Sequence, residues 1–173
     1  MAAESILWHY FPKSSACPDP LRKVVSLFEQ HFGDIYSVTH LGQNSNQVLE
    51  ILRPALMNLG FEVEADKTKA GKIQVPVLFG SNGSISKYFE ADAYNKTEQI
   101  VIEVEAGRAV SNYQFLKDLF QACVMQDVDY ALIAVRQNYR GGNDYEKVIS
   151  FIDTLYASTK LVIPLKGVAI VGY

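Results

Sequence analysis

The chain has 173 residues, 49% of them hydrophobic and 20% charged, and a formal net charge of −3 at pH 7. This length is most simply one domain with a real hydrophobic core. The slight negative charge excludes a global attraction to nucleic acid, so any DNA contact must come from local basic patches.

Cys17 and Cys123 lie far apart, and His9, His31 and His40 share no ligand spacing with each other or with cysteine. This argues against zinc, a disulfide framework or a catalytic triad and for a reduced chain. Cys123, within Leu119-Phe120-Gln121-Ala122-Cys123-Val124, is expected in the core. No apolar run approaches the roughly 18–20 residues of a membrane span. No basic segment followed by an apolar stretch opens the chain. A soluble, cytoplasmic protein without a membrane partner is expected.

In chain order, the aromatic segment up to residue 18 predicts a short strand or an arm. Asp19-Pro20 reads as an N-cap with proline at the first helical position. Leu21, Val24, Val25 and Phe28 then follow at helical spacing towards Gly33, giving a helix over roughly 20–32. A second helix begins near Asn44-Ser45, carries Val48, Leu49, Leu52 and Leu56, should kink at Pro54, and ends at Gly60. Phe61–Glu64 predicts a strand, residues 65–72 a basic loop, and Ile73–Phe79 another strand, with Pro76 suiting an edge. A helix over about 112–125, a buried strand within 128–136 and a helix over 143–157 follow. The chain closes on the apolar segments 161–165 and 167–172. The order predicts an α/β fold with a mixed central sheet flanked by helices. It is read as a single domain over 1–173, with 1–43 as an N-terminal arm and helix and 44–173 as the core.

The most informative stretch is Glu90-Ala91-Asp92-Ala93-Tyr94, a polar turn, and Ile100-Val101-Ile102-Glu103-Val104-Glu105. At a period of two, Ile100, Ile102 and Val104 share one face while Glu103 and Glu105 share the other. A hairpin symmetric about Thr97 and Glu98 sets Asp92 opposite Glu103 and Glu90 opposite Glu105. Crowded carboxylates repel and raise one another's pKa. A divalent cation removes that penalty, and Mg²⁺ is characteristically held by one or two carboxylates with water and phosphate oxygens. The plain alternative is a strand whose outer acidic face is simply solvated.

The kinked helix, the strands bearing the carboxylates, and the helix and buried strand that follow resemble the restriction-endonuclease-like, PD-(D/E)xK superfamily. Glu103-Val104-Glu105-Ala106-Gly107-Arg108 is similar to the catalytic strand of its Glu-x-Glu branch, a subset of type II restriction enzymes. Leu116–Phe120, Asp129–Ile133, Val162–Leu165 and Val168–Gly172 look like that subset's later segments, so the resemblance covers roughly residues 44–173. It implies catalytic Asp92, Glu103 and Glu105, with Mg²⁺ (or Mn²⁺ in its place) on Asp92 and Glu103. Glu105 stands where the commoner form has lysine and would be the base or water-positioning group. Glu50 stands where some members place an accessory acidic residue. The chain departs from the subset in being short, leaving little room for base-reading inserts.

Around such a site, Lys67, Lys69 and Lys72 form the clearest basic loop. Arg108 and Lys117 lie beside the acidic strand, and Arg136, Asn138 and Arg140 share a Gly-ended loop. Lysine mostly holds phosphates, while arginine and asparagine also read base edges. The expected function is a metal-dependent endodeoxyribonuclease acting on double-stranded DNA, a homodimer of the type II restriction kind. The alternatives are a non-catalytic DNA-binding or protein-interaction module of the same fold, and a nuclease for structured or damaged DNA.

Overall fold

The computed structural model describes residues 4–173; residues 1–3 of the expected N-terminal arm lie outside them. Among the described residues five α-helices and eight strands follow one another along the chain. The helices are α1 (Asp19–Gln30), the single turn α2 (Phe32–Ile35), α3 (Ser45–Asn58), α4 (Gln114–Val124) and α5 (Asp144–Ser158). The strands are β1 (Leu7–Phe11), β2 (Glu62–Val63), β3 (Ile73–Phe79), β4 (Ile85–Ala91), β5 (Ala93–Asn95), β6 (Ile100–Glu105), β7 (Tyr130–Val135) and β8 (Gly167–Gly172).

Local chemistry explains the helix starts. Asn44 Oδ1 accepts from Gln47 N at 3.0 Å while Gln47 Oε1 accepts from Asn44 N at 2.9 Å. This reciprocal cap satisfies two donors that a helix N-terminus otherwise leaves free. The helix then runs unbroken through Pro54, and Gly60 takes the positive φ of 89° needed to leave it. At α1 the boundary differs by one residue. Pro18 occupies the cap position, and Asp19 lies in the first turn without capping it.

Six strands form a mixed sheet in the order β1-β8-β7-β6-β5-β2. The strands β6, β7 and β8 are parallel, and the outer pairs are antiparallel. Ile100, Ile102, Val104, Leu132, Ala134, Ala169 and Val171 pack on α1 and α3. Val101, Ala131, Ile133, Val168 and Ile170 pack on the opposite side with α4 and α5 residues. Both faces are therefore covered. The alternative of a simply solvated acidic face on β6 is not met: Glu103 and Glu105 are half-buried in a cleft lined also by α4 residues.

One sequence expectation is corrected by the topology. The segment Ile73–Phe79 does not join the central sheet but pairs with β4 in a separate two-stranded ribbon. The ribbon is held to the domain through Gln126 N, which donates to Pro76 O at 2.8 Å. Of the two alternatives for the N-terminal segment, Leu7–Phe11 forms the strand: β1 is the sheet's edge strand beside β8. Cys123 flanks the core partly buried rather than lying within it.

Candidate functional site

The register of the central sheet assembles the site. Ala93 pairs with Ile102, so the next step of the ladder sets Asp92 across from Glu103, as the hairpin predicted. The ladder itself stops there because the chain bends at Asp92. On the other side Val63 pairs with Ala93, and Glu64 N donates to Asp92 O at 2.7 Å. Glu64, Asp92 and Glu103 thus form one row across three neighbouring strands. Glu105 lies two residues further along β6, and Asp118 reaches in from α4. Helical spacing puts Gln114, Lys117, Asp118 and Gln121 of α4 over the same cleft.

Glu90 is not opposite Glu105. The bend at Asp92 turns β4 out of the sheet, Glu90 pairs with Gln74 in the ribbon, and its carboxylate meets Lys72 in an ion pair. Sequence reasoning missed Glu64 and Asp118, both buried and both lining the cleft. A signal existed for each. Glu64 ends a predicted strand, and Asp118 interrupts the apolar stripe Phe115, Leu119 and Ala122.

The cleft encloses about 630 Å³. Beside it lies a second lobe of about 480 Å³, lined by Asn44, Gly107, Arg108, Asn112 and Tyr139, and the two share Ser45, Glu105 and Gln114 as walls. Several contacts fix the floor. Asp92 Oδ2 accepts from Val104 N at 2.7 Å. Arg53 Nη2 donates to Glu64 O at 2.7 Å. The Tyr173 hydroxyl, on a fully buried ring, donates to Glu105 O at 2.8 Å.

Burial is the largest cause of the site's electrostatics. It pushes Asp92 up to about 7, aided by Glu64 and opposed by the Val104 amide. It pushes Glu105 up to about 9, aided by Asp118. Glu103 is raised well above its ordinary value by burial and then by Asp92, Asp118 and Glu105, and Asp118 is raised by burial. Without a cation, burial and mutual repulsion favour the protonated form of each of these groups. Among the described residues, none of Asp92, Glu103, Glu105 and Asp118 is in an ion pair. No three acidic, His or Cys side chains among the described residues converge as a ready metal cage. An oxygen-only donor set with two carboxylates and room for water still fits a hard cation such as Mg²⁺ or Mn²⁺.

The basic candidates divide. Lys67 lines the cleft and pairs with Glu64 at 3.1 Å. Lys72 lines it and pairs with Glu90, and Lys117 lines it exposed. Lys87, which sequence reasoning passed over, also lines it from the ribbon. Lys69 is exposed but is not part of the cleft wall. Arg108 is exposed, with a positive φ of 64°, and faces the second lobe. Asn138 and Arg140 line a separate hollow, with Arg140 over the Tyr139 ring. Arg136 lines the same hollow but is 4% exposed, and its guanidinium is engaged within the protein, donating to the carbonyls of His40 (2.7 Å), Leu41 (2.9 Å) and Ala106 (3.4 Å). Its guanidinium satisfies loop carbonyls that no strand or helix would satisfy. Glu50 is exposed on α3 beside a shallow neighbouring hollow and does not join the carboxylate row.

The fold and the site define an α/β protein with an acidic cleft where parallel strands end, a common location for ligand sites in such sheets. No helix among the described residues is long and apolar enough to cross a membrane. Compared with known proteins, the chain matches no family model, no curated protein and no solved structure.

Proposed function

We propose that the protein is a metal-dependent endodeoxyribonuclease of the restriction-endonuclease-like kind, hydrolysing phosphodiester bonds in double-stranded DNA. The observation that carries this reading is the row Glu64, Asp92 and Glu103, with Glu105 beyond it, in an open cleft whose rim bears lysines; only Glu64 of these is in an ion pair, with Lys67. A palindromic target would make the working form a twofold homodimer.

Asp92 and Glu103 would hold Mg²⁺, which when bound supplies Lewis-acid activation of water and of the phosphoryl oxygen. The Val104 amide keeps one Asp92 oxygen in place and leaves the other for a ligand. Glu105 is the base or water-positioning group: its high proton affinity, raised by burial, suits it to accept a proton from the attacking water. Lys117 and Lys87 on the rim hold DNA phosphates, which fixes the position of the strand without reading its sequence.

The test is incubation of purified protein with unmethylated plasmid and phage DNA, in Mg²⁺ and in EDTA. Discrete Mg²⁺-dependent fragments, lost in Glu103→Ala and Asp92→Ala, are the expected result. A metal-dependent smear or nicking keeps the nuclease and removes the restriction role. Intact DNA in both Mg²⁺ and Mn²⁺ moves the protein to the non-catalytic DNA-binding or interaction module.

A further inference from the structure

The end of the β3–β4 ribbon exposes apolar side chains for which the nuclease reading has no use. Near its root the ribbon belongs to the core, with Val75, Val77 and Ala91 buried. Beyond them the pattern reverses. Leu78, Phe79 and Ile85 are 59%, 55% and 55% exposed, and Phe79 pairs with Ile85 across the two strands. No charged residue occurs between Lys72 and Lys87, although exposed strand edges are ordinarily protected by charges. The turn that joins the strands is bonded within itself. Gly80 N donates to Ser84 O at 2.7 Å, and the Ser84 hydroxyl donates to Ser81 O at 2.9 Å. The tip is a preformed apolar wedge, and a grouped apolar surface of this kind marks a contact.

The ribbon's position and charge decide what it touches. Residues 86–91 all line the acidic cleft, and Asp92 follows directly on β4, so a ligand in the cleft lies against the ribbon. Lys87, one of these lining residues, is the cross-strand partner of Leu78. Its ammonium stands 5.3 Å from the centre of the Phe89 ring and, among the described residues, is in no ion pair. An unneutralised cation beside an uncharged apolar tip suits a polyanion with an apolar interior. A DNA duplex is such a ligand, with phosphates outside and stacked bases within. Leucine, phenylalanine and isoleucine carry no group that reads the donor and acceptor pattern of the major groove. Such side chains instead enter between base pairs from the minor groove and unstack a step.

We propose that Leu78, Phe79 and Ile85 form a wedge that inserts from the minor groove into a base step of the duplex held in the cleft. The wedge deepens the nuclease reading and rests on it for DNA as the ligand. Ile85 is seven strand positions from Asp92, which is about 23 Å of strand. The unstacked step therefore lies within about seven base pairs of the scissile phosphate, at 3.4 Å per step. Lys87 holds a phosphate beside that step. The wedge favours pyrimidine–purine steps such as TA and CA, which unstack most easily. This selectivity needs no base-reading insert, which suits a chain too short to carry one.

The experiment is titration of the full chain into a 40-base-pair duplex of alternating T and A, with 2-aminopurine in place of several adenines and Ca²⁺ in place of Mg²⁺ to keep the strands intact. Anisotropy of an end label reports binding, and 2-aminopurine fluorescence reports unstacking. Wild type is expected to raise the fluorescence at saturation. Phe79→Ser is expected to lose most of that rise once it has saturated the same DNA, and Ile85→Ser provides the same reading if Phe79→Ser folds poorly. Saturated DNA without a rise, a full rise in a folded variant, or no binding by wild type overturns the proposal. So does a wild-type dimer in sedimentation that Phe79→Ser breaks into monomers, because the tip then belongs to a second copy. Plasmid cleavage in Mg²⁺ separates the two readings. Cut plasmid without a fluorescence rise keeps the nuclease and removes the wedge; a rise that the variants lose, with intact plasmid, does the reverse.

Discussion

Replacing Asp92 by asparagine takes one anion out of the acidic row with almost no change in shape, because the amide oxygen can still accept from Val104 N. In metal-free buffer the Asp92 carboxyl titrates at about 7 when folded, against an ordinary 3.8. Between these values the folded chain binds more protons than the unfolded chain, so wild-type stability falls as pH rises through that window and levels off above it. At about 1.4 kcal/mol per pH unit, the full rise corresponds to about 4 kcal/mol, an upper figure because neighbouring carboxylates titrate together with Asp92. Asp92→Asn avoids this penalty. It is expected to be more stable than wild type at pH 8 in EDTA, with an advantage that grows by about 2–3 kcal/mol between pH 5 and pH 8. Asp92→Ala also escapes the charge penalty but leaves the Val104 amide without its acceptor, at a cost of about 1–3 kcal/mol relative to the asparagine variant. Urea unfolding followed by far-ultraviolet circular dichroism at several pH values measures all three proteins. Millimolar Mg²⁺ should narrow the gap by binding only the folded wild type. An asparagine variant no more stable than wild type at pH 8, or an advantage independent of pH, would refute the reasoning.

Three further outcomes test how the cleft is supported. Ser37 is fully buried, donates to Tyr173 O, and accepts from Gln137 N at 3.0 Å and Asn138 N at 3.1 Å. Ser37→Ala should therefore cost roughly 2 kcal/mol, a fall of about 4–8 °C in melting temperature by calorimetry. Gly107 has φ 140°, and a Cβ there would stand 2.6 Å from Tyr139 Cε2. Gly107→Ala should destabilise by about 1–2 kcal/mol, and a double-mutant cycle with Tyr139→Ala should recover the steric part; strict additivity would show that the two residues do not meet. Arg136→Met should lower stability by about 2–4 kcal/mol by leaving loop carbonyls unpaired, while the folded variant keeps wild-type DNA affinity by fluorescence anisotropy. Weaker DNA binding at unchanged stability would return Arg136 to the role its sequence position suggested.

Much of this architecture was legible in the sequence because it is local. The helix start at Asn44-Ser45, the stop at Gly60, the helical spacing of α1 and α5 and the alternation of β6 depend on residues a few positions apart. The symmetry of the short β5–β6 turn likewise set Asp92 beside Glu103, since a brief polar turn leaves few registers open. These short-range rules determined the element order, the mixed sheet and three of the five buried or half-buried acidic groups of the cleft.

Tertiary structure decided the rest. Strand period tells which residues share a face but not what covers it, so packing of α4 and α5 on the sheet turned a solvated acidic face into a partly buried cleft. Glu64 joined the row only because β2 pairs with β5 across an intervening ribbon, and that ribbon carried Glu90 away to Lys72. Asp118 became a wall of the site through the docking of α4. Arg136 became a buried strut because its guanidinium reaches the carbonyls of His40 and Leu41, nearly one hundred positions away in sequence. In each case the deciding quantity is the desolvation of a polar group, and that depends on neighbours from distant parts of the chain.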